Sequence, residues 1–189
     1  MKKGSIILIV VAVIILLLAI SCISSYNSLV DLKEQVTSKE AEIDVQLQRR
    51  ADLIPNLVNT VKGYMKHEQS VIDSVTSARE NLLGAKTIEA KSKANTELTN
   101  ALNALFVIVE NYPDLKASEN FTQLQDELAG TENRIAYARK NYNEAVETYN
   151  KTIKKFPTVV IASMFGFKEQ GYFESQDAAK EVPNVDFQS

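Results

Sequence analysis

The sequence predicts an all-α protein in which an N-terminal transmembrane helix precedes a long antiparallel helical bundle. Only six Gly and four Pro occur among 189 residues, and so few turn-forming residues favour helices over sheets. Residues 4–23 carry no charge. From Glu119 to Phe156, apolar side chains recur at alternating spacings of three and four, which is the pattern of a coiled-coil or bundle helix.

Residues 1–23 are predicted to be a membrane anchor. At about 1.5 Å per residue, the uncharged run from Gly4 to Ile23 is long enough to cross a hydrocarbon core of roughly 30 Å. Two alternatives remain open. Ala19 and Ser21 fit a signal-peptidase site, which would release the chain. Cys22 follows a loose lipoprotein box, which would replace the span with an acyl anchor on its thiol.

The charges around the apolar run predict its orientation. Lys2 and Lys3 precede it, so the positive-inside rule keeps the N-terminus cytoplasmic and places the bundle outside the cytoplasm. Lys33 and Lys39 follow the run and weaken the signal. The predicted location is therefore the cell membrane, with a single pass and an extracytoplasmic bundle. With 21 basic and 24 acidic residues the chain repels phosphate backbones, and nucleic acid is not an expected partner.

Residues 24–156 are predicted to form the bundle. One helix is expected from about Thr87, which can cap it, to Asn111, and Gly84 is expected to end the helix before it. The stripe between residues 24 and 83 is nearly continuous, but Pro55 removes one backbone donor from it.

Two arrangements fit this interruption. A break near Arg50 gives four helices in up-down order, and a long helix bent at Pro55 gives three. The four-helix order is favoured, because an unbroken first helix would be far longer than its partners. Residues 157–167 are a short apolar segment, too short to span a membrane, which is expected at the membrane interface or at the bundle end. Residues 168–189 are polar and predicted to be mostly disordered.

Charged residues near the apolar stripes form a candidate buried polar layer. Arg50 and Glu68 fall on the stripe itself, and a carboxylate such as Glu132 or Glu110 is the expected partner of Arg50. Buried pairs of this kind fix helix register at some cost in stability. A structural role is favoured over a binding groove, because buried charges must be paired in any fold. The candidate layer comprises Arg50, Glu68, Glu110, Glu132 and Arg134.

The residue counts argue against a metal site. His67 is the single histidine and Cys22 the single cysteine, fewer than zinc sites built from these residues or di-iron bundles require. We expect no metal, no cofactor, no catalytic residues and no enzymatic activity. The competing hypothesis is a hydrolase or ligand-binding bundle that uses carboxylates of the polar layer.

Several motifs, in order, resemble those of LemA proteins. The longest covers residues 43–58, with the sequence IDVQLQRRADLIPNLV. Further matches are ENYPDL at 110–115, TENRIA at 131–136, and Phe156-Pro157. The likeness covers essentially the whole chain.

This resemblance implies a bacterial cell-envelope protein with one N-terminal span, an antiparallel helical bundle and no established enzymatic activity. It suggests an unidentified envelope partner, with a membrane metalloprotease among the candidates, and it supplies no catalytic residues. The expected function is a membrane-anchored scaffold or adaptor that acts through protein contacts of its bundle. A homo-oligomer is a further candidate assembly.

Overall fold

The computed structural model describes residues 3–65 and 67–174, with side chains from residue 8 onward. All regular structure in these residues is helical, which confirms the predicted all-α class. The helices described are α1 (Lys3–Lys62), α2 (Gln69–Gly84), α3 (Ile88–Val109), α4 (Pro113–Lys116), α5 (Glu119–Lys154) and α6 (Thr158–Phe165). The chain divides into two compact units. The first comprises Met1–Lys39 and Asn141–Gln170, and the second Glu40–Lys140 and Gly171–Ser189.

The N-terminal part of α1 is apolar and exposed. Each large apolar side chain from Leu8 to Ile23 exposes about half of its surface or more, and Cys22 is an exposed free thiol. Near the N-terminus, α1 is long and apolar enough to cross a membrane. The predicted long apolar helix at the N-terminus is confirmed.

Pro55 does not end α1. The predicted break near Arg50 is wrong, because the helix continues from Lys3 to Lys62. A proline has no backbone N–H, so the Ala51 carbonyl one turn earlier loses its helical partner. Nε of Arg79, on α2, donates to that carbonyl at 2.8 Å. This replacement hydrogen bond satisfies the carbonyl, and the helix therefore tolerates the proline.

The chain turns instead between residues 62 and 69. Gly63, a poor helix former, follows the last residue of α1, and the backbone N–H groups of Tyr64 and Met65 both donate to the Val61 carbonyl. Met65 is buried. In the described residues α1 therefore extends past the predicted break, and α2, with 16 residues, is shorter than the second helix that the favoured arrangement predicted.

The connection between α2 and α3 follows its sequence signals. Gly84 is the last residue of α2, and Thr87 precedes α3. The Thr87 hydroxyl oxygen accepts a hydrogen bond from the Ala90 N–H at 3.2 Å, which satisfies a free donor at the helix start. The predicted stop and cap are confirmed.

Each unit has its own buried core. In the first unit the core residues are Leu29, Val36, Tyr142, Val146, Tyr149, Ile153, Ile161 and Ala162. In the second unit the core is larger, and its main residues are Ile43, Leu47, Ala51, Ile54, Leu57, Val61, Ile72, Val75, Leu82, Leu98, Leu102, Leu105, Phe121, Leu128, Ile135 and Phe173.

The predicted apolar pattern of α5 holds over most of the helix but not at its end. Phe121, Ile135 and Tyr142 are buried, as the spacing predicts. Tyr149 is also buried as predicted, but Phe156, which the same spacing placed in the core, is 86% exposed. Helix α5 ends at Lys154, so Phe156 lies beyond the helix and the helical spacing no longer applies to it.

Residues 168–174 depart from the predicted disordered tail. In the first unit, Nδ2 of Asn150 donates to the Gln170 carbonyl and Oδ1 of Asn150 accepts from the Gln170 N–H, both at 2.9 Å. In the second unit, Phe173 is buried and the Ser92 hydroxyl donates to the Glu174 carbonyl at 3.1 Å. The rest of the predicted tail, residues 175–189, lies outside the described residues.

Candidate functional site

Arg50 forms the centre of a polar cluster inside the second unit. It lies on the apolar stripe of α1 between Leu47 and Ile54, so the packing of that stripe buries it, and only 3% of the residue is exposed. Nη1 of Arg50 donates to Oδ1 of Asn95, on α3, at 2.6 Å. It also lies 2.5 Å from Oε2 of Glu132, on α5. One nitrogen atom thus joins three helices.

Arg50 is buried, whereas the side chain of its partner Glu132 is partly exposed. Burial lowers the pKa of the Arg50 guanidinium from its ordinary value, and the charge and hydrogen bond of Glu132 act in the opposite direction. Nε of Arg50 and Oε1 of Gln46, one helical turn apart, are buried without a hydrogen-bond partner among the described residues. The Glu132 side chain is 40% exposed and reaches the surface. Buried ion pairs of this kind commonly contribute to helix register.

The other predicted members of the polar layer lie elsewhere. Glu68 precedes α2 and accepts a hydrogen bond from the Tyr112 hydroxyl, which lowers the pKa of the Glu68 carboxyl. Glu110 is exposed and forms an ion pair with Lys116 at 2.5 Å. Arg134 is exposed. Of the five predicted residues, the structure brings together only Arg50 and Glu132.

Asn95 belongs to the cluster but was not among the predicted residues. It precedes Leu98 by three positions and Leu102 by seven, so it lies on the same face of α3 as the core leucines. An asparagine in register with the core leucines would have been the signal, although Ser92, one turn earlier, is buried on the same face. On α1, the position of Arg50 within an apolar stripe indicated a buried polar contact in the same way.

A second charged cluster in the same unit involves Lys91. Its Nζ lies 2.9 Å from Oε1 of Glu40 and 2.7 Å from Oδ1 of Asp44. Burial lowers the pKa of Lys91, but the hydrogen bonds and charges of Asp44 and Glu40 together outweigh it, so the pKa is raised. No sequence pattern singled out this cluster, because charges at i and i+4 on an exposed helix face are common.

Replacing Lys91 with Met is expected to lower the free energy of unfolding by about 1 kcal/mol at neutral pH, since both carboxylates are partly exposed. Because the folded-state pKa is raised, this contribution is complete below the ordinary lysine pKa of about 10.4 and is lost as the pH rises through the folded-state value. Urea unfolding of both proteins at pH about 8 and about 11.5 measures the difference, which should narrow at the higher pH. An unchanged difference would mean that Lys91 acts through its methylene groups.

The part of the chain that the structure describes holds no group of three or more His, Cys, Asp or Glu side chains placed to bind a metal ion. His67, expected on a helix, lies instead in the connection between α1 and α2 and is exposed. Its backbone N–H donates to the Glu68 carboxylate at 3.1 Å.

A surface cleft of about 430 Å³ lies between α1 and α5 in the second unit. Two apolar side chains stand out in it, since Val45 is 62% exposed and Tyr137 is 68% exposed. Val45 and Tyr137 therefore present two exposed apolar side chains on the same cleft. The cleft is lined by Glu42, Val45, Gln46, Asn133, Arg134, Tyr137 and Ala138.

The cleft and the Arg50 cluster both fall within a region shared with known proteins. The model of the LemA family matches residues 39–187. The chain belongs to the LemA family. Within that family it is 30% identical over 179 residues to magnetosome protein MamQ 2 of Paramagnetospirillum magneticum, covering 81% of this chain and 66% of that protein. It is 26% identical over 165 residues to protein LemA of Metamycoplasma hominis, covering 85% and 72%.

The LemA-family assignment confirms the resemblance drawn from the motifs. The match to MamQ of Magnetospirillum gryphiswaldense is similar, at 28% identity. The chain spans just under two thirds of the length of these magnetosome relatives, since the match covers 66% of each. An apolar N-terminal helix in a LemA-family chain fits a membrane protein.

Proposed function

We propose that this protein is a membrane-anchored, non-catalytic scaffold of the bacterial envelope. In this proposal its helical part forms an antiparallel bundle that acts through protein contacts. The observation that carries it is the pair of exposed apolar side chains, Val45 and Tyr137, in one surface cleft. Burial of a tyrosine and its apolar neighbour in an interface is a common source of binding energy.

The pairing of charges supports a scaffold over a hydrolase. A hydrolase built on carboxylates needs two of them near each other, with at least one free to move a proton. The neighbouring carboxylates of Glu40 and Asp44 are both bound to Lys91. Glu132 is bound to Arg50. These groups therefore contribute to structure in the described residues.

The anchor proposal rests on the apolar part of α1. In it, the span is retained, Cys22 carries no acyl chain, and the helical part lies outside the cytoplasm because Lys2 and Lys3 precede the span. The partner proposed is another envelope protein, since both would share the same membrane. A second copy of this chain is the competing partner.

Photo-crosslinking in intact cells tests the contact surface. A photoreactive phenylalanine analogue placed at Tyr137 is expected to give one discrete adduct with an envelope protein. The matched control is the same analogue at Val107, a 71% exposed apolar position on α3, which is expected to give none. Introducing Val45→Asp beside the probe at Tyr137 should reduce the adduct by about 10-fold, since a charge in an apolar contact is costly.

The outcomes separate the alternatives. An adduct of twice the chain mass identifies a homo-oligomer. Equal adducts from Tyr137 and Val107, or an adduct that Val45→Asp leaves unchanged, would contradict a specific surface at this cleft. No adduct from either position would remove the support for a scaffold that acts through it.

A further inference from the structure

We infer that α6 is a second membrane-contacting element, whose outward face inserts into the surface of the leaflet from which α1 emerges. The inference rests on the proposed anchoring of α1 and adds a second, interfacial contact. Its proposed occupant is lipid rather than protein. All residues that carry it lie in the first unit.

Helix α6 has apolar residues on its buried side and also on its exposed side. Ile161 and Ala162 are buried against the first unit. Val160 and Met164, one turn apart on the other side, are 50% and 72% exposed. A helix on a water-facing surface normally turns polar residues outward. Thr158–Phe165 contains no charged residue at all, so its outward face is suited to a medium other than water.

An aromatic contact fixes the depth of α6 relative to the apolar run. Tyr26 follows Ile23, the end of that run, by three residues, or about 4.5 Å along the helix. Tyrosine at this position is typical of the membrane–water interface. The ring of Phe165 lies 4.8 Å from that of Tyr26, and the ring of Phe167 lies 5.8 Å away. Helix α6 therefore lies at interfacial depth once α1 spans the bilayer.

The residues around α6 favour a lipid surface. Phe156, just before the helix, is 86% exposed and extends the apolar surface. Lys155 and Lys168 flank the segment and are exposed, and such lysines are attracted to anionic headgroups. With 8 residues, or about 12 Å, the helix is too short to cross the membrane. It is suited to lie along the interface.

The sequence contains no Trp, so one introduced indole reports its own surroundings. Four full-length variants are compared after reconstitution in vesicles of phosphatidylcholine and phosphatidylglycerol. They are Met164→Trp and Val160→Trp on α6, Leu16→Trp in the apolar run and Ser38→Trp as the control. Ser38 is exposed on α1, 12 residues and about 18 Å beyond Tyr26. Bromine-labelled phosphatidylcholine quenches an indole that lies within the bilayer.

We expect M164W and L16W fluorescence to fall by about two-fold or more with brominated lipid, and S38W fluorescence to remain unchanged. Val160→Trp, on the same face, should behave as M164W does. Quenching of L16W without quenching of M164W or V160W would overturn the inference and leave the anchor intact. Absence of quenching in all variants would refute the anchor and the inference together. Blue-shifted, unquenched M164W emission would indicate a protein contact and would also overturn it.

Discussion

Replacing Glu132 with Ala is expected to lower the free energy of unfolding by about 2–3 kcal/mol, because it leaves the buried Arg50 charge with only an amide partner. Breaking a fully buried ion pair from one side costs more. The Glu132 side chain is 40% exposed as a whole, although Oε2, the atom next to Arg50, is buried. Asn95 still accepts from Nη1 in this variant and limits the loss.

Replacing Arg50 with Met is expected to cost less, about 1–2 kcal/mol, because the buried charge disappears with the side chain. Methionine fills a similar volume on the apolar stripe. Glu132 can then turn fully to water, while the amide oxygen of the buried Asn95 loses its donor, which accounts for the remaining cost.

Urea unfolding of the full-length chain in detergent micelles is followed by circular dichroism. It gives the free energy of unfolding of Glu132→Ala, Arg50→Met and the double variant. The double variant should resemble R50M alone, because Glu132 has no buried charge to neutralise once Arg50 is gone. Glu132→Gln is the matched control that keeps shape and removes charge. A larger loss for R50M than for E132A would show that packing of the arginine, rather than charge pairing, dominates.

Replacing Arg79 with Met is expected to destabilise the chain by about 1–3 kcal/mol, because the Ala51 carbonyl is then buried without a donor. Ala51 is fully buried, so water cannot readily replace the lost bond. Pro55→Ala should have the opposite effect, about 1–2 kcal/mol of added stability, since alanine restores the backbone donor that proline lacks.

The two substitutions are expected to be coupled. In the Pro55→Ala background, Arg79→Met should cost under about 0.5 kcal/mol, because the alanine N–H now bonds to the Ala51 carbonyl. Arg49→Met, which removes an exposed arginine paired with Glu127 at 3.0 Å, is the matched control and should cost about 0.5 kcal/mol or less. Equal costs of Arg79→Met in both backgrounds would mean that Arg79 does not substitute for the missing donor. The same urea-unfolding measurement serves for the parent chain, the two single variants, the double variant and the Arg49→Met control.

The helical character of the elements and most of their buried apolar residues could be predicted from the sequence, since both depend on the local spacing of apolar residues. The burial of Phe121, Ile135 and Tyr142 followed directly from it. The course of the chain at Pro55 could not be predicted, because Arg79 lies in another helix and no local pattern indicates where its side chain bonds. Phe156 was misplaced because α5 ends two residues before it, at Lys154, and the apolar spacing does not indicate where a helix ends.

The polar cluster around Arg50 was partly predictable, because the position of Arg50 on an apolar stripe follows from local spacing. A charged residue on an apolar stripe must find a partner, and that requirement led from Arg50 to Glu132. Which carboxylate pairs with Arg50 depends on how the helices pack, so Glu110 was as reasonable a partner as Glu132 on sequence alone. The structure gives Glu68 a tyrosine hydroxyl and Glu110 a surface lysine.

Asn150 acts toward Gln170 as a neighbouring β-strand would, because one amide group both donates to and accepts from the same backbone unit. This pair of hydrogen bonds holds the chain after α6 as a strand would be held, together with the bond from the Tyr149 hydroxyl to the Lys168 carbonyl at 3.0 Å. An aspartate at position 150 offers only acceptors, so deamidation of Asn150 would remove the bond to the Gln170 carbonyl and weaken the attachment of this segment.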